Sequence, residues 1–142
     1  MHRLETQISI HRPPEAVWAI LIDFASYARW NPFIPSNEGI AAVGQTLNIV
    51  LQPPGGRAMR FRPRVLVCEP PRELRWIGRL WLPGIFDGEH QFRIEPAPGG
   101  VVFHHSESFS GLLVPFLKAS LDGPTRNGFI AMNEALKREA ER

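Results

Sequence analysis

Residues 111–142 read GLLVPFLKASLDGPTRNGFIAMNEALKREAER, and this stretch decides the fold. Leu113, Leu117, Leu121, Gly128, Met132 and Leu136 recur at steps of mostly three or four, which places them on one stripe of a helix. Lys118, Asn127, Asn133, Lys137, Arg138 and Glu141 fall on the opposite, polar side. No other segment is long enough for a major amphipathic helix, and residues 36–110 read as strands. A lone helix of this kind in a mostly β chain must bury its stripe against a sheet. Pro124 interrupts the pattern, because an interior proline loses a backbone bond and clashes one turn back. A kink near Asp122–Pro124 is expected, or a restart with Asp122 as cap and Pro124 in the first turn.

Working outward, 142 residues suit one domain, residues 1–142, with one core. An apolar content of 44% speaks against disorder, and 14 prolines with 12 glycines imply many turns. Formal charge is +2, and the pI of about 9.2 reflects 14 Arg against 2 Lys. A single cysteine, Cys68, rules out an intrachain disulfide and fits a reducing compartment. Met1–Glu5 lacks the apolar run of a signal peptide, and no window approaches the ~20 apolar residues of a membrane span. A cytoplasmic protein is expected.

Leu4, Thr6, Ile8 and Ile10 alternate with polar neighbours as a half-buried first strand. Pro13-Pro14 opens a helix with Val17, Trp18, Leu21 and Ile22 on its apolar side. Phe24–Trp30 forms a second short helix ended by Asn31-Pro32. Strands are then expected over Gly39–Val43, Gln45–Gln52, Met59–Val67, Leu74–Leu80, Phe86–Ile94 and Val101–Phe109, separated by turns rich in Pro and Gly. The fold class is α+β: about seven antiparallel strands in one curved sheet around the C-terminal helix, with two short helices after strand 1.

This order carries a resemblance. The opening Ile10-His11-Arg12-Pro13-Pro14-Glu15-Ala16-Val17-Trp18, followed by Tyr27-Ala28-Arg29-Trp30-Asn31-Pro32-Phe33, resembles that of the SRPBCC, or START-like polyketide cyclase, superfamily. Its last strand and helix are similar to Phe103–Gly111 and Gly128–Lys137. The resemblance implies the helix-grip fold, with a deep apolar cavity between sheet and C-terminal helix. The superfamily includes lipid carriers, cyclases, ring-hydroxylase subunits and chaperone partners, so fold alone does not choose a function.

The last hairpin carries the most informative polar groups. If Ala97–Gly100 is a four-residue loop, Ile94 faces Phe103, Phe92 faces His105, and His90 faces Glu107; a slip of two residues keeps all of them inward but changes partners. Buried His and Glu among phenylalanines need partners. A His90–Glu107 pair satisfies both, as a structural pair, as a ligand contact, or as a general acid and base. His105 joins the same face, while His104 lies on the other. His90, His105 and Glu107 lack short metal-ligand spacing, so no metal is expected, and no motif calls for a cofactor. Cys68 falls in the outward parity of Arg60, Arg62 and Arg64, with no histidine nearby in sequence.

Two further features bear on function. Phe24, Tyr27, Trp30 and Phe33 cluster near the short helices, and Phe61, Trp76, Phe86 and Phe92 point inward from the sheet. They are either core or the lining of a site for a flat apolar ligand, with Tyr27 as polar tip. At one end of the sheet lie Pro53–Arg57, Trp81–Ile85 and Ser110–Pro115, unusually apolar for loops. These loops are expected to rim the cavity mouth, with Trp81, Leu113 and Phe116 touching ligand, unless Trp81 and Phe116 plug the core. With a four-residue Glu69–Arg72 loop, Arg62 lies across from Arg79 and Leu66 from Arg75, so that Arg60, Arg62, Arg64, Arg75 and Arg79 form a basic outer face. That face is a solvated surface or a patch that attracts RNA, anionic lipid or an acidic partner, the solvated surface being favoured.

The expected function is therefore binding of a lipid, polyketide-like or aromatic molecule in a central cavity. The alternatives are a cyclase or dehydratase using His90 and Glu107, and an interaction module using the arginine face. No nucleic acid is expected, and nothing in the sequence names a partner protein.

Overall fold

The computed structural model describes residues 1–80 and 82–142; Trp81, placed above at the cavity mouth, lies outside the described residues. The elements are β1 (His2–Ile10), α1 (Pro14–Ile22), a 3-10 turn (Phe24–Ser26), α2 (Tyr27–Trp30), β2 (Ser36–Glu38), β3 (Asn48–Leu51), β4 (Met59–Phe61), β5 (Arg64–Glu69), β6 (Glu73–Leu80), β7 (Phe86–Ala97), β8 (Gly100–Ser110), α3 (Val114–Ser120), a π turn (Leu121–Thr125) and α4 (Arg126–Glu141). Five strands form one antiparallel sheet in the order β1-β8-β7-β6-β5, and β2-β3-β4 form a second. The long C-terminal helix buries Phe129, Met132 and Leu136 in one core with Leu4, Phe92 and Phe103 of the large sheet. This is the expected helix-grip arrangement.

The strand count departs from a single sheet of seven for local reasons. Pro63 has no N–H to give a ladder, so the expected strand Met59–Val67 splits into β4 and β5, which belong to different sheets. Gly39–Val43 is not a strand: Gly39 sits at φ +137°, and Ser36–Glu38 pairs with β3 instead. The first half of Gln45–Gln52 bonds to β5, with Val65 N–H donating to Gln45 O at 2.9 Å, before the second half pairs with β4.

A bulge at Leu66 corrects the arginine face. Val65 pairs with Trp76, but Val67 rather than Leu66 pairs with Arg75, and the ladder ends at Arg64 opposite Ile77. Arg62 therefore has no strand partner in Arg79, which instead lies 3.8 Å from Asp87. Arg60 and Arg64 stand on different sheets, so the expected basic face is divided. The bulge also turns Cys68 inward, where it packs against the core, and burial pushes its thiol pKa up.

The C-terminal helix does not restart at Pro124. One π turn, Leu121–Thr125, is inserted into a continuous helix and accommodates the proline that ordinary α-bonding would not. Asp122 is no cap; its carboxylate accepts from His2 Nε2 at 2.7 Å. Asn133, assigned to the polar side, is buried at 3% exposure. Its position follows the inward set Phe129, Met132 and Leu136, and it faces β8 rather than solvent.

Candidate functional site

The β7–β8 hairpin has the expected register, with a loop of only Pro98-Gly99 because the ladder continues to Ala97 and Gly100. Ala97 pairs with Gly100, Ile94 with Phe103, Phe92 with His105 and His90 with Glu107. Both histidines are buried. His90 Nδ1 lies 2.9 Å from Glu107 Oε1, and His90 Nε2 lies 2.7 Å from His105 Nε2. His105 Nδ1 lies 2.9 Å from Asn133 Oδ1, and Asn133 Nδ2 donates to Thr6 Oγ1 at 2.9 Å. Thr6 Oγ1 in turn donates to the carbonyl of His105 at 2.8 Å. A continuous polar chain thus runs from β8 through β7 and α4 to β1.

Hydrogen counting gives this chain a direction. Thr6 uses its one hydroxyl hydrogen on the His105 carbonyl, so it can only accept from Asn133. That points the Asn133 oxygen at His105, whose Nδ1 must carry the hydrogen. Burial, and then the charge of His90, hold the His105 pKa well below its ordinary value, against the opposing bond to Asn133, so the ring is neutral. Its Nε2 is then an acceptor, and His90 Nε2 must donate to it. The remaining contact, His90 Nδ1 to Glu107 Oε1, must therefore hold a proton on one partner or the other. Phe129 stacks on His105 at 4.1 Å between ring centres, and Trp76 on His90 at 5.3 Å, which fixes both rings.

A depressed imidazole makes stability pH-dependent. Unfolded His105 takes up a proton below about pH 6.5, whereas folded His105 does so only at much lower pH. Its contribution is complete above that ordinary value and is lost as pH falls toward the folded one, at up to ~1.4 kcal/mol per pH unit. Thermal melts between pH 7.5 and 5 should show this fall in the parent and a flatter profile in His105→Gln. An equal slope in both proteins would assign the effect to other groups.

Beside the pair lies a cavity with ≈ 70 Å³ of space that the centre of a water molecule can reach. Of the residues expected to touch a ligand, it brings together Phe33, Phe61, Trp76, Phe86, His90 and Glu107. Ile49, Leu51, Pro53, Met59, Phe109, Leu121 and Thr125 also line it, as do Gly78 and Gly88. These two glycines face each other across β6 and β7 and leave the sheet wall without side chains. A Cβ on Gly88 would stand 2.2 Å from Glu107 Oε2, so this second carboxylate oxygen occupies the space that glycine leaves. A glycine inside a strand is the sequence signal of such an approach.

Other expected lining residues lie elsewhere. Phe24, Tyr27 and Trp30 pack edge-to-face on one another at 5.5 and 5.2 Å, away from the cavity. The Tyr27 hydroxyl donates to the Leu21 carbonyl, so its polar tip serves the backbone, and burial pushes its pKa up. Phe92 and His105 are fully buried in the core, where Phe129 stacks on the imidazole. Leu113 is half-buried outside the cavity, and Phe116 is 81% exposed, so it neither lines the cavity nor plugs the core. His104 is half-buried and paired with Glu95 at 3.0 Å rather than simply solvated.

Two of the three loops expected at the mouth meet. Leu112 N–H donates to Gly84 O at 3.0 Å and Leu113 N–H to Ile85 O at 3.0 Å. Gly111, at φ +115°, allows this crossing, since a Cβ there would lie 2.5 Å from Ile85 O. Pro53, Phe86 and Phe109, which border these loops, line the cavity at that end. Asn133, Thr6 and Phe129 went unread in the sequence as parts of the site; the available signal was Asn133 four residues after Phe129, on its face. Among the described residues no cluster of His, Cys, Asp and Glu is arranged to hold a metal, and no helix is long and apolar enough to cross a membrane.

Solved structures share this architecture. The chain superposes on the di-domain ARO/CYC protein BexL of the BE-7585A biosynthetic pathway with a TM-score of 0.80 at 15% identity, covering 99% of this chain and 50% of that one. It thus spans half the length of BexL. The Zhui aromatase/cyclase from Streptomyces sp. R1128 gives 0.77 at 18% identity, over 99% of this chain and 94% of that one. Protein MLL2253 from Mesorhizobium loti gives 0.71 at 20%, over 96% and 98%. At these identities the likeness is one of fold. No curated protein matches the sequence. The family model described as "Polyketide cyclase / dehydrase and lipid transport" matches residues 1–142. That description covers work on hydrophobic small molecules, by binding or by cyclisation, without choosing between them. From its first strand to the end of its gripping helix, the chain belongs to this family, within the START-like superfamily that its opening motif resembles.

Proposed function

We propose that the protein binds a hydrophobic small molecule in the cavity beside His90 and Glu107. The observation that carries this reading is an apolar wall of Phe33, Phe61, Phe86 and Phe109 interrupted by one hydrogen-bonded His–Glu pair. Apolar walls supply affinity, and a few fixed polar groups supply orientation. The present volume suits a few waters, so a ligand must move side chains such as Met59, which is 44% exposed at the rim. Native mass spectrometry of protein purified from its own host, with calorimetric titration of apolar aromatic probes, tests the reading. Retained or titratable ligand is expected; no uptake of any apolar probe would overturn it.

The bridging proton favours acid–base work as a second reading. In a dehydration, Glu107 Oε2 would take a proton from substrate carbon and return it to the leaving hydroxyl. The C–H and C–O bonds break, C=C and water form, and the carboxylate is regenerated. Glu107→Gln separates the two readings: a carrier loses only several-fold in affinity, whereas an enzyme loses turnover by ~10²-fold or more while still binding.

A further inference from the structure

The hydrogen-bond direction bears on what kind of ligand the cavity takes. The chain from Thr6 through Asn133 and His105 commits both nitrogens of His90, leaving neither for a ligand. The proton of the His90–Glu107 contact lies between Nδ1 and Oε1. Whichever partner holds it, Glu107 Oε2 faces the cavity as an acceptor. Trp76 and Thr125 add neutral donor groups to the lining. None of the described lining residues is Lys or Arg, and one proton shared by His90 and Glu107 leaves that pair without net charge, so nothing there offsets a negative charge on a ligand.

We propose, resting on the cavity-binding reading, that this site selects neutral apolar molecules bearing a hydroxyl, such as phenols and alcohols, and rejects carboxylates. A hydroxyl gives Oε2 the hydrogen it lacks, and a bond to an ionised or charge-sharing acceptor is among the stronger kinds. A carboxylate brings oxygens against an oxygen and leaves water for an apolar pocket with no cation to meet it. Asn133, His105 and His90 are positioning residues in this scheme, because they fix which atom of Glu107 is free.

The test uses three probes of one shape: 4-propylphenol, propylbenzene and 4-propylbenzoate, titrated at pH 7.5 into the full chain by calorimetry or NMR. The phenol should bind about tenfold or more tighter than propylbenzene, and the benzoate should bind weakest. In Glu107→Gln the neutral acceptor should shrink the phenol's advantage several-fold and ease the rejection of benzoate. Equal affinity for phenol and propylbenzene, a preference for benzoate, or an unchanged ranking in Glu107→Gln would each overturn the selectivity while leaving the cavity reading intact. Failure of all three probes to bind would overturn both. Should Glu107→Gln fail to fold, the ranking in the parent decides alone.

Discussion

Met132→Asp is expected to leave the chain without a cooperative unfolding transition. Met132 is fully buried on α4, in one core with Phe129, Leu136 and the inner residues of the large sheet. Aspartate there puts an unpaired carboxylate among apolar groups, a change in the class that costs about 4–5 kcal/mol or more. Domain stabilities are commonly ~5–15 kcal/mol, so most or all of the margin disappears. Circular dichroism during heating checks it, with Met132→Leu as a volume-conserving control expected to cost less than about 1.5 kcal/mol. A sharp melt of Met132→Asp at the parent's temperature would mean that α4 does not bury this face.

Gly78→Val should do the reverse: keep the fold and remove the site. Gly78 lines the cavity beside Trp76, and a Cβ added there would meet only Pro63 Cβ, at 3.9 Å. The first atom of a side chain therefore fits there without clash, and a β-branched residue suits a pleated surface. Its methyl groups would extend into the cavity that Gly78 lines. Probe affinity should fall at least about tenfold, ~1.4 kcal/mol, while the melting temperature stays level or rises. Parent-like affinity in a folded Gly78→Val protein would place the ligand elsewhere.

These variants draw on features of unequal legibility. The β7–β8 hairpin could be read from sequence because its short loop fixes register, its long strands carry no bulge, and its large residues alternate from His90 to Ile94 and from Val101 to Phe109. β5 could not, because the bulge at Leu66 inverts the parity of everything after it, Cys68 included. The aromatic cluster around Tyr27 looked like a lining because composition does not distinguish a ring packed on rings from one facing space. Asn133 was set on the polar side by residue type alone. Its burial becomes explicable only once His105 is known to stand opposite, since a neutral imidazole in the core needs an acceptor for its Nδ1 hydrogen. The cavity itself was legible in outline, through inward Phe61, Trp76 and Phe86, but its shape depends on Gly78 and Gly88, whose contribution is an absence.

The π turn at Leu121–Thr125 sets the angular phase of the gripping helix. One residue subtends about 100° in a helix of 3.6 residues per turn, so one extra residue advances the helix upstream by that angle relative to α4. α3 and α4 thus act as two cams on one shaft. α4 keeps Phe129, Met132 and Asn133 toward the sheet, while α3 turns Phe116 outward. The offset falls where Leu121 and Thr125 meet the cavity. Removing a single residue, Gly123, would bring the cams back into phase. Either Val114 and Leu121 or the Asn133 end of the polar chain would then have to leave its seat. Small insertions and deletions along 121–125 are therefore a coarse control over cavity shape, separate from any choice of lining side chain.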